Sequence, residues 1–198
     1  MARIQIQSLT GPLFANACAE LQRQVDARFR PTLLIGIRTG GYTVALAMQS
    51  SAARDLSVSP LTCRRASTRT KAGVPGLAAV LTRLPVPMLD QLRRLEHRLL
   101  TGRKRPLGER TLDPDEAAAL QAQLTSLPSG SCVVAVDDAV DSGATLAMVM
   151  AFARGASPPG VSIHSAAITV TTDEPAVRPD VALYQGVLCR FPWSFDAA

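Results

Sequence analysis

The chain is short of the side chains that most often carry nucleophilic or metal chemistry. It has two histidines, His97 and His164, and four cysteines, Cys18, Cys63, Cys132 and Cys189, scattered with no C-x-x-C pair. That pattern argues against zinc sites and a disulfide framework, and makes a reducing, cytoplasmic setting the expectation. Aromatic residues are only 4% of the sequence, with a single tryptophan, Trp193. No apolar run reaches the length of a membrane span, so no membrane partner is expected. The start, Met1-Ala2-Arg3-Ile4-Gln5, lacks the apolar core of a signal peptide. There is no internal repeat, no low-complexity tract and no G-x-G-x-x-G. A net charge of +5 suits an enzyme of polyanionic substrates and suits RNA binding equally, so charge alone decides nothing. With 198 residues and 47% hydrophobic content, one domain with a full core is the expectation.

What is present centres on Cys132–Thr145, which reads CVVAVDDAVDSGAT. Cys132 to Val136 is the short apolar, β-branched run that a buried parallel strand needs. Asp137 and Asp138 follow at once, placing two carboxylates at the strand's C-terminal end. Asp141-Ser142-Gly143-Ala144-Thr145 then leads into a helical pattern, Leu146–Ala153, closed by Gly155. A strand, a small-residue turn and a helix start together make an anion site. The first N–H groups of the helix lack partners, its dipole favours negative charge, and Gly143 permits close approach. The hydroxyls of Ser142 and Thr145 can add hydrogen bonds. Two acids beside such a cradle point to a ligand with a phosphate and a diol, or to a metal. The competing reading is a bare turn with a capping Asp, in which an adjacent acid pair would be wasteful.

A second strand–turn–helix unit lies about a hundred residues upstream. Thr32–Ile37 is a buried-strand run, Arg38-Thr39-Gly40-Gly41 is the turn, and a helix follows from about Tyr42 to Ala53. It is not a Walker A loop, because Tyr42-Thr43 stands where Lys-Ser/Thr is required. Before it, Thr10 can cap a helix over Pro12–Arg28 with Leu13, Ala17, Leu21 and Val25 on one face. After it, Leu56–Cys63 alternates like a strand in which Pro60 marks an edge or a bulge. Arg64–Gly73 is basic and without hydrophobic period. Residues 85–98 read as an amphipathic helix, with His97 on its surface, and a basic cluster follows at 103–105. Asp113 as N-cap, Pro114 and Glu116 open another helix reaching Leu124. Val161–Val170 is a further strand, and Val181–Leu183 with Gly186–Arg190 suggests a hairpin ending in Phe191-Pro192-Trp193. Alternating strands and helices predict an α/β fold with a mainly parallel sheet and ligands at its C-terminal edge.

Val133–Thr145 resembles the phosphoribosyl-pyrophosphate (PRPP) motif of type I phosphoribosyltransferases: four apolar residues, two acids, two mostly apolar residues and a small-residue loop ending in Thr. Ala139 departs mildly from it. GIRTGG, ending at Gly41, is similar to that family's pyrophosphate loop, most closely in its pyrimidine-operon regulators, and the Phe-Pro-Trp tail resembles that of hypoxanthine/xanthine-type members. The resemblance implies the type I phosphoribosyltransferase fold over 1–198, with a helical insertion at about 77–128 and a small C-terminal hood at about 177–198. It implies transfer of the 5-phosphoribosyl group of PRPP to a nucleobase, purine-like favoured, or to another nitrogen nucleophile, with release of pyrophosphate, Mg²⁺ as cofactor and a homodimer as the assembly. By the same resemblance Asp141, Ser142, Gly143, Ala144 and Thr145 hold the 5-phosphate. Asp137 and Asp138 hold the ribose hydroxyls and Mg²⁺, directly or through water. Arg38, Thr39, Gly40 and Gly41 hold pyrophosphate, in a loop that often carries a non-proline cis peptide. Arg64, Arg65, Arg69 and Lys71 would lie on a lid. Asp141 is the candidate acceptor of the base's proton, against simple loop capping, and joins Asp137 and Asp138 as the catalytic set. Trp193 is a candidate for stacking on the base, against packing of the tail on the core. A regulator that senses PRPP or a nucleotide and binds RNA, and an orphan transferase of a specialised pathway, are the alternatives. The helical insertion is open between a dimer contact, a cover over the second substrate and an RNA-facing arm.

Overall fold

The two apolar runs that anchor the sequence lie side by side at the centre of one sheet. The computed structural model describes residues 5–65 and 110–194. Among them, six strands form a sheet in the order β4-β3-β2-β5-β6-β7: β2 Leu33–Arg38, β3 Ser57–Arg65, β4 Arg110–Leu112, β5 Cys132–Val140, β6 Ser162–Val170 and β7 Val181–Gln185. All neighbours are parallel except β3 and β4. The fold is thus the expected α/β arrangement, a mostly parallel sheet flanked by helices α1 Pro12–Arg28, α2 Gly40–Ser51, α3 Pro114–Thr125 and α4 Ala144–Ala156.

Both faces of the central strands are buried, as parallel strands require, and alternate residues serve different cores. Leu34, Val134 and Val136 join α1 and α2 through Leu21, Val25, Val44 and Met48. Leu33, Ile35, Val133 and Ala135 join α3 and α4 through Leu120, Leu124, Leu146 and Val149. Pro60 is accommodated because β4 pairs with β3 only from Cys63 to Arg65. At Pro60, opposite Gly36, no strand among the described residues pairs with the other side of β3.

Several local expectations are corrected. The N-cap of α1 is Gly11, at φ 52°, not Thr10, and Leu13 is 53% exposed instead of sharing the buried face. Strand β5 runs on to Val140, so the acid pair lies within its C-terminal stretch, not after it. Helix α4 passes through Gly155 and ends at Ala156. The tail strands do not form a hairpin. Gly186, at φ 66°, redirects the chain, so that β7 adds to the main sheet while β8 Val187–Arg190 pairs in parallel with β1 Gln5–Ser8. From Arg110 onward the span read as an insertion is woven into the sheet and core by β4 and by Leu120 and Leu124 of α3. The helix read at 85–98, His97 and the basic cluster at 103–105 lie outside the described residues. No helix among the described residues is long and apolar enough to cross a membrane.

Candidate functional site

Parallel pairing of β2 with β5 puts Gly36 beside Val136, and the turn after each strand therefore opens at the same sheet edge. This register alone brings Arg38–Gly41 against Asp137 and Asp138. The approach is close. A Cβ on Gly40 would fall 2.1 Å from Asp138 Oδ2, and one on Gly41 would fall 2.4 Å from the Val136 carbonyl oxygen. Only glycines fit there. The Arg38–Thr39 peptide is cis, the feature the resemblance implied for this loop.

The two carboxyls are half-buried, and both titrate above the ordinary aspartate range. Burial is the first cause in each. For Asp137 the charge of Asp138 adds to it, as expected where two like charges share a site. Asp138 is partly relieved by hydrogen bonds, one of them from the indole N–H of Trp193 at 3.2 Å. The backbone N–H of Asp138 donates to Asp137 Oδ1 at 3.0 Å. Trp193 stacks on buried Phe191 with centroids 5.0 Å apart and meets Phe14 edge-on at 5.5 Å. The tail thus packs on the core and reaches the acid pair with the same ring.

Downstream, Asp141–Thr145 curls into a concavity lined also by Asp137 and Val140. Gly143, at φ 74°, is the N-cap of α4, and a Cβ there would meet the Val177 carbonyl oxygen at 2.6 Å. The segment after β6 braces this turn: Ala176 N–H donates to the Ser142 carbonyl at 2.8 Å, and the Thr171 hydroxyl donates to Asp141. Asp141 and Ser142 are exposed at the mouth. The start of α4 turns its first N–H groups and a positive dipole end to this concavity, the Ala144 N–H reaching Ser142 Oγ at 3.5 Å.

The remaining predicted residues are placed less directly. Arg38 pairs with Glu116 at 2.9 Å, its guanidinium 4.9 Å from the Tyr42 ring centroid. Arg64 lies 3.7 Å from Asp113, and Arg65 ends β3. Arg69 and Lys71 lie outside the described residues. Sequence reasoning missed Thr171, Glu116 and Arg110. Glu116 read as the third residue of a capping box, and Asp113 does accept from its N–H at 3.3 Å. Its own carboxylate does not turn back to the cap, but accepts from Thr62 N–H at 2.6 Å and holds Arg38. Thr171 and Arg110, whose Nη1 sits 2.6 Å from Thr145 Oγ1, carried no local signal.

No group of three or more His, Cys, Asp or Glu able to hold a metal occurs among the described residues. Asp137 and Asp138 alone fit a cation that brings most of its shell from water and a phosphate ligand, which is how Mg²⁺ is ordinarily held.

Comparison with known proteins gives the family and the fold. The phosphoribosyl transferase domain family matches residues 6–193. This chain belongs to that family and is by class a phosphoribosyltransferase. Its fold is similar to that of a purine phosphoribosyltransferase from Pyrococcus horikoshii, with 16% identity, TM-score 0.59 and coverage of 96% of this chain and 94% of the other. It is similar also to the Helicobacter pylori xanthine-guanine-hypoxanthine phosphoribosyltransferase, with 15% identity, TM-score 0.57 and the same coverages of 96% and 94%. A hypothetical protein from Neisseria gonorrhoeae with bound ppGpp has 12% identity and TM-score 0.59 over 98% of this chain and 91% of its own. A search of curated proteins finds no match.

Proposed function

We propose that this protein transfers the 5-phosphoribosyl group of PRPP to a ring nitrogen of a purine-like nucleobase and releases pyrophosphate. The observation that carries the reading is the meeting, at one sheet edge, of an adjacent acid pair, a double-glycine turn and a helix-start cradle. Each matches one part of that substrate. In this reading the N–H groups opening α4, with the hydroxyls of Ser142 and Thr145, hold the 5-phosphate together with Gly143 and Ala144. Asp137 and Asp138 grip the ribose hydroxyls. Gly40 and Gly41 let the backbone approach the pyrophosphate, with Thr39 and Arg38 beside it, and Arg64, Arg65, Arg69 and Lys71 supply cations to the same end. Held at three points, the sugar is fixed for in-line displacement at C1, so positioning and electrostatics carry most of the catalysis. Asp137 and Asp138 would hold Mg²⁺, which would supply positive charge to offset that of the leaving pyrophosphate. Asp141, oriented by Thr171, accepts the proton that the base nitrogen loses. Trp193 leaves Asp138 for the diol and offers its face to the base. The purine preference is supported by the two purine-type neighbours and by the aromatic tail. One domain over 1–198, working as a cytoplasmic homodimer, completes the proposal.

A second reading is a nucleotide-sensing regulator that binds RNA. The ppGpp-bound neighbour and the net charge of +5 favour it. Incubation with PRPP, Mg²⁺ and a panel of bases and amines separates the two. Pyrophosphate release with a base supports transfer, whereas salt-sensitive RNA binding without turnover supports the regulator. Asp138→Asn should abolish turnover and leave the circular dichroism spectrum unchanged. Near-full activity in that variant would sink the role given to the acid pair.

A further inference from the structure

We infer that Arg110 is a phosphate-positioning residue: it donates to the Thr145 hydroxyl, so that this hydroxyl presents its own hydrogen to the 5-phosphate. The inference rests on the proposal above that the turn between Asp141 and Thr145 takes that phosphate. Arg110 opens β4, where its backbone is paired with Arg65, and its Nη1 lies 2.6 Å from Thr145 Oγ1. A guanidinium has donors only, so the hydroxyl must accept at that contact. Its single hydrogen is thereby turned elsewhere, and donation from a charged group strengthens the next bond in the chain. Without such a partner a threonine in a helix tends to spend that hydrogen on a backbone carbonyl one turn back. Thr145 lines the concavity, so a hydrogen kept from the backbone is available to an anion there.

The charge matters as much as the hydrogen. The stretch Cys132–Thr145 contains three aspartates and no basic residue, yet a phosphate dianion is to sit among them. Arg110 brings positive charge to Thr145 itself. Its positive charge also lies near the Cys63 thiol, which burial pushes above its ordinary value and which Arg110 draws partly back. Anchored between β3 and α4, the head is fixed before any ligand arrives, the condition under which a donor array costs least to use.

Titration calorimetry with ribose 5-phosphate, PRPP and inorganic pyrophosphate, each with Mg²⁺, tests this on the full chain. Arg110→Gln should weaken ribose 5-phosphate and PRPP by about tenfold to a hundredfold, while pyrophosphate affinity stays within about twofold. Arg110→Lys, which keeps the charge and one donor, should recover part of the loss. In a Thr145→Val background Arg110→Gln should add much less than it does alone, because the two act as one chain. Unchanged ribose 5-phosphate affinity in Arg110→Gln, or an equal loss for pyrophosphate, would overturn the inference while leaving the functional proposal intact. If both Arg110 variants fail to fold, the residue serves the scaffold and the inference is overturned. If the wild type binds neither PRPP nor ribose 5-phosphate, the functional proposal itself falls.

Discussion

Replacing Gly41 and Gly40 by alanine, one at a time, should separate folding from function at the first turn of α2, just after β2. A Cβ at Gly41 would stand 2.4 Å from the Val136 carbonyl oxygen and 2.8 Å from Asp137 Cα. A carbon–oxygen contact needs about 3.3 Å, so one backbone must retreat by roughly 0.9 Å. Neither retreats cheaply. Strand β5 is hydrogen-bonded on both sides, and α2 is anchored by fully buried Val44, Ala45 and Met48. Overpacking of this kind costs about 2–3 kcal/mol, and the better helix propensity of alanine returns about 1. The net loss of about 1–2 kcal/mol should lower Tm by roughly 2–8 °C in a chain of this size. At Gly40 the obstacle is the Asp138 carboxyl, 2.1 Å away, a side chain that can swing aside. Gly40→Ala should therefore melt near the wild type but bind PRPP poorly, because it turns Asp138 out of place. Thermal melts followed by circular dichroism, with PRPP titrations of both variants, make the test. A Gly41→Ala protein as stable as the wild type, or a Gly40→Ala protein with wild-type PRPP affinity, would refute this account of the turn.

Other consequences follow from the same geometry. Asp137 and Asp138 keep their protons above the ordinary aspartate range when folded, so as pH rises through that range the unfolded chain ionises first and stability falls. Asp137→Asn should then melt higher than the wild type at neutral pH without ligand or metal, with the gain vanishing below about pH 4; equal melting points at pH 7 would contradict it. Trp193 is the only tryptophan, and its N–H must leave Asp138 when a diol binds. PRPP with Mg²⁺ should thus change the intrinsic emission, and a flat titration beside calorimetric binding would show that the indole stays where it is. Gln22 is 2% exposed, and its amide finds no hydrogen-bond partner among the described residues. Gln22→Leu should stabilise by about 1 kcal/mol, seen as a higher denaturant midpoint at unchanged slope.

Much of this site is legible in the amino-acid sequence because each part is local. An apolar run, two acids, a small-residue loop and a helix are consecutive residues, and their order dictates a cradle wherever the strand lies. Glycines 40 and 41 are legible as a turn for the same reason. Their need to be glycine is not, since it arises from the neighbouring strand β5, reached only through the pairing of Gly36 with Val136. Thr171 and Arg110 are invisible there because each meets the loop across some thirty residues of sequence and neither belongs to a patterned stretch. The tail misleads for a physical reason. Val181–Leu183 and Gly186–Arg190 look like a hairpin on spacing, but the open edge of β6 and the unpaired β1 each offer a parallel partner. Glu116 shows the remaining limit, for a capping pattern names the helix start but not the acid's best partner, and here a cation and an N–H on the sheet outcompete the cap.

The acid pair also explains why the tail folds back as it does. Two adjacent carboxyls at the end of a central strand oppose folding, through burial and through mutual repulsion. Among the described residues the pair is met by donors and not by a basic side chain: an N–H from Asp138's own backbone to Asp137, and an indole N–H from Trp193 to Asp138. A lysine or arginine bound there would quiet the pair more fully, but it would compete with any cation and diol for the same oxygens. A neutral indole donor is a weaker partner and can be displaced. Its ring is stacked on Phe191 and braced by Phe14, so the residue that caps the pair stays at its rim when the oxygens are needed. The stability lost to the buried acids is thus the same free energy that a ligand carrying hydroxyls and a divalent cation can recover.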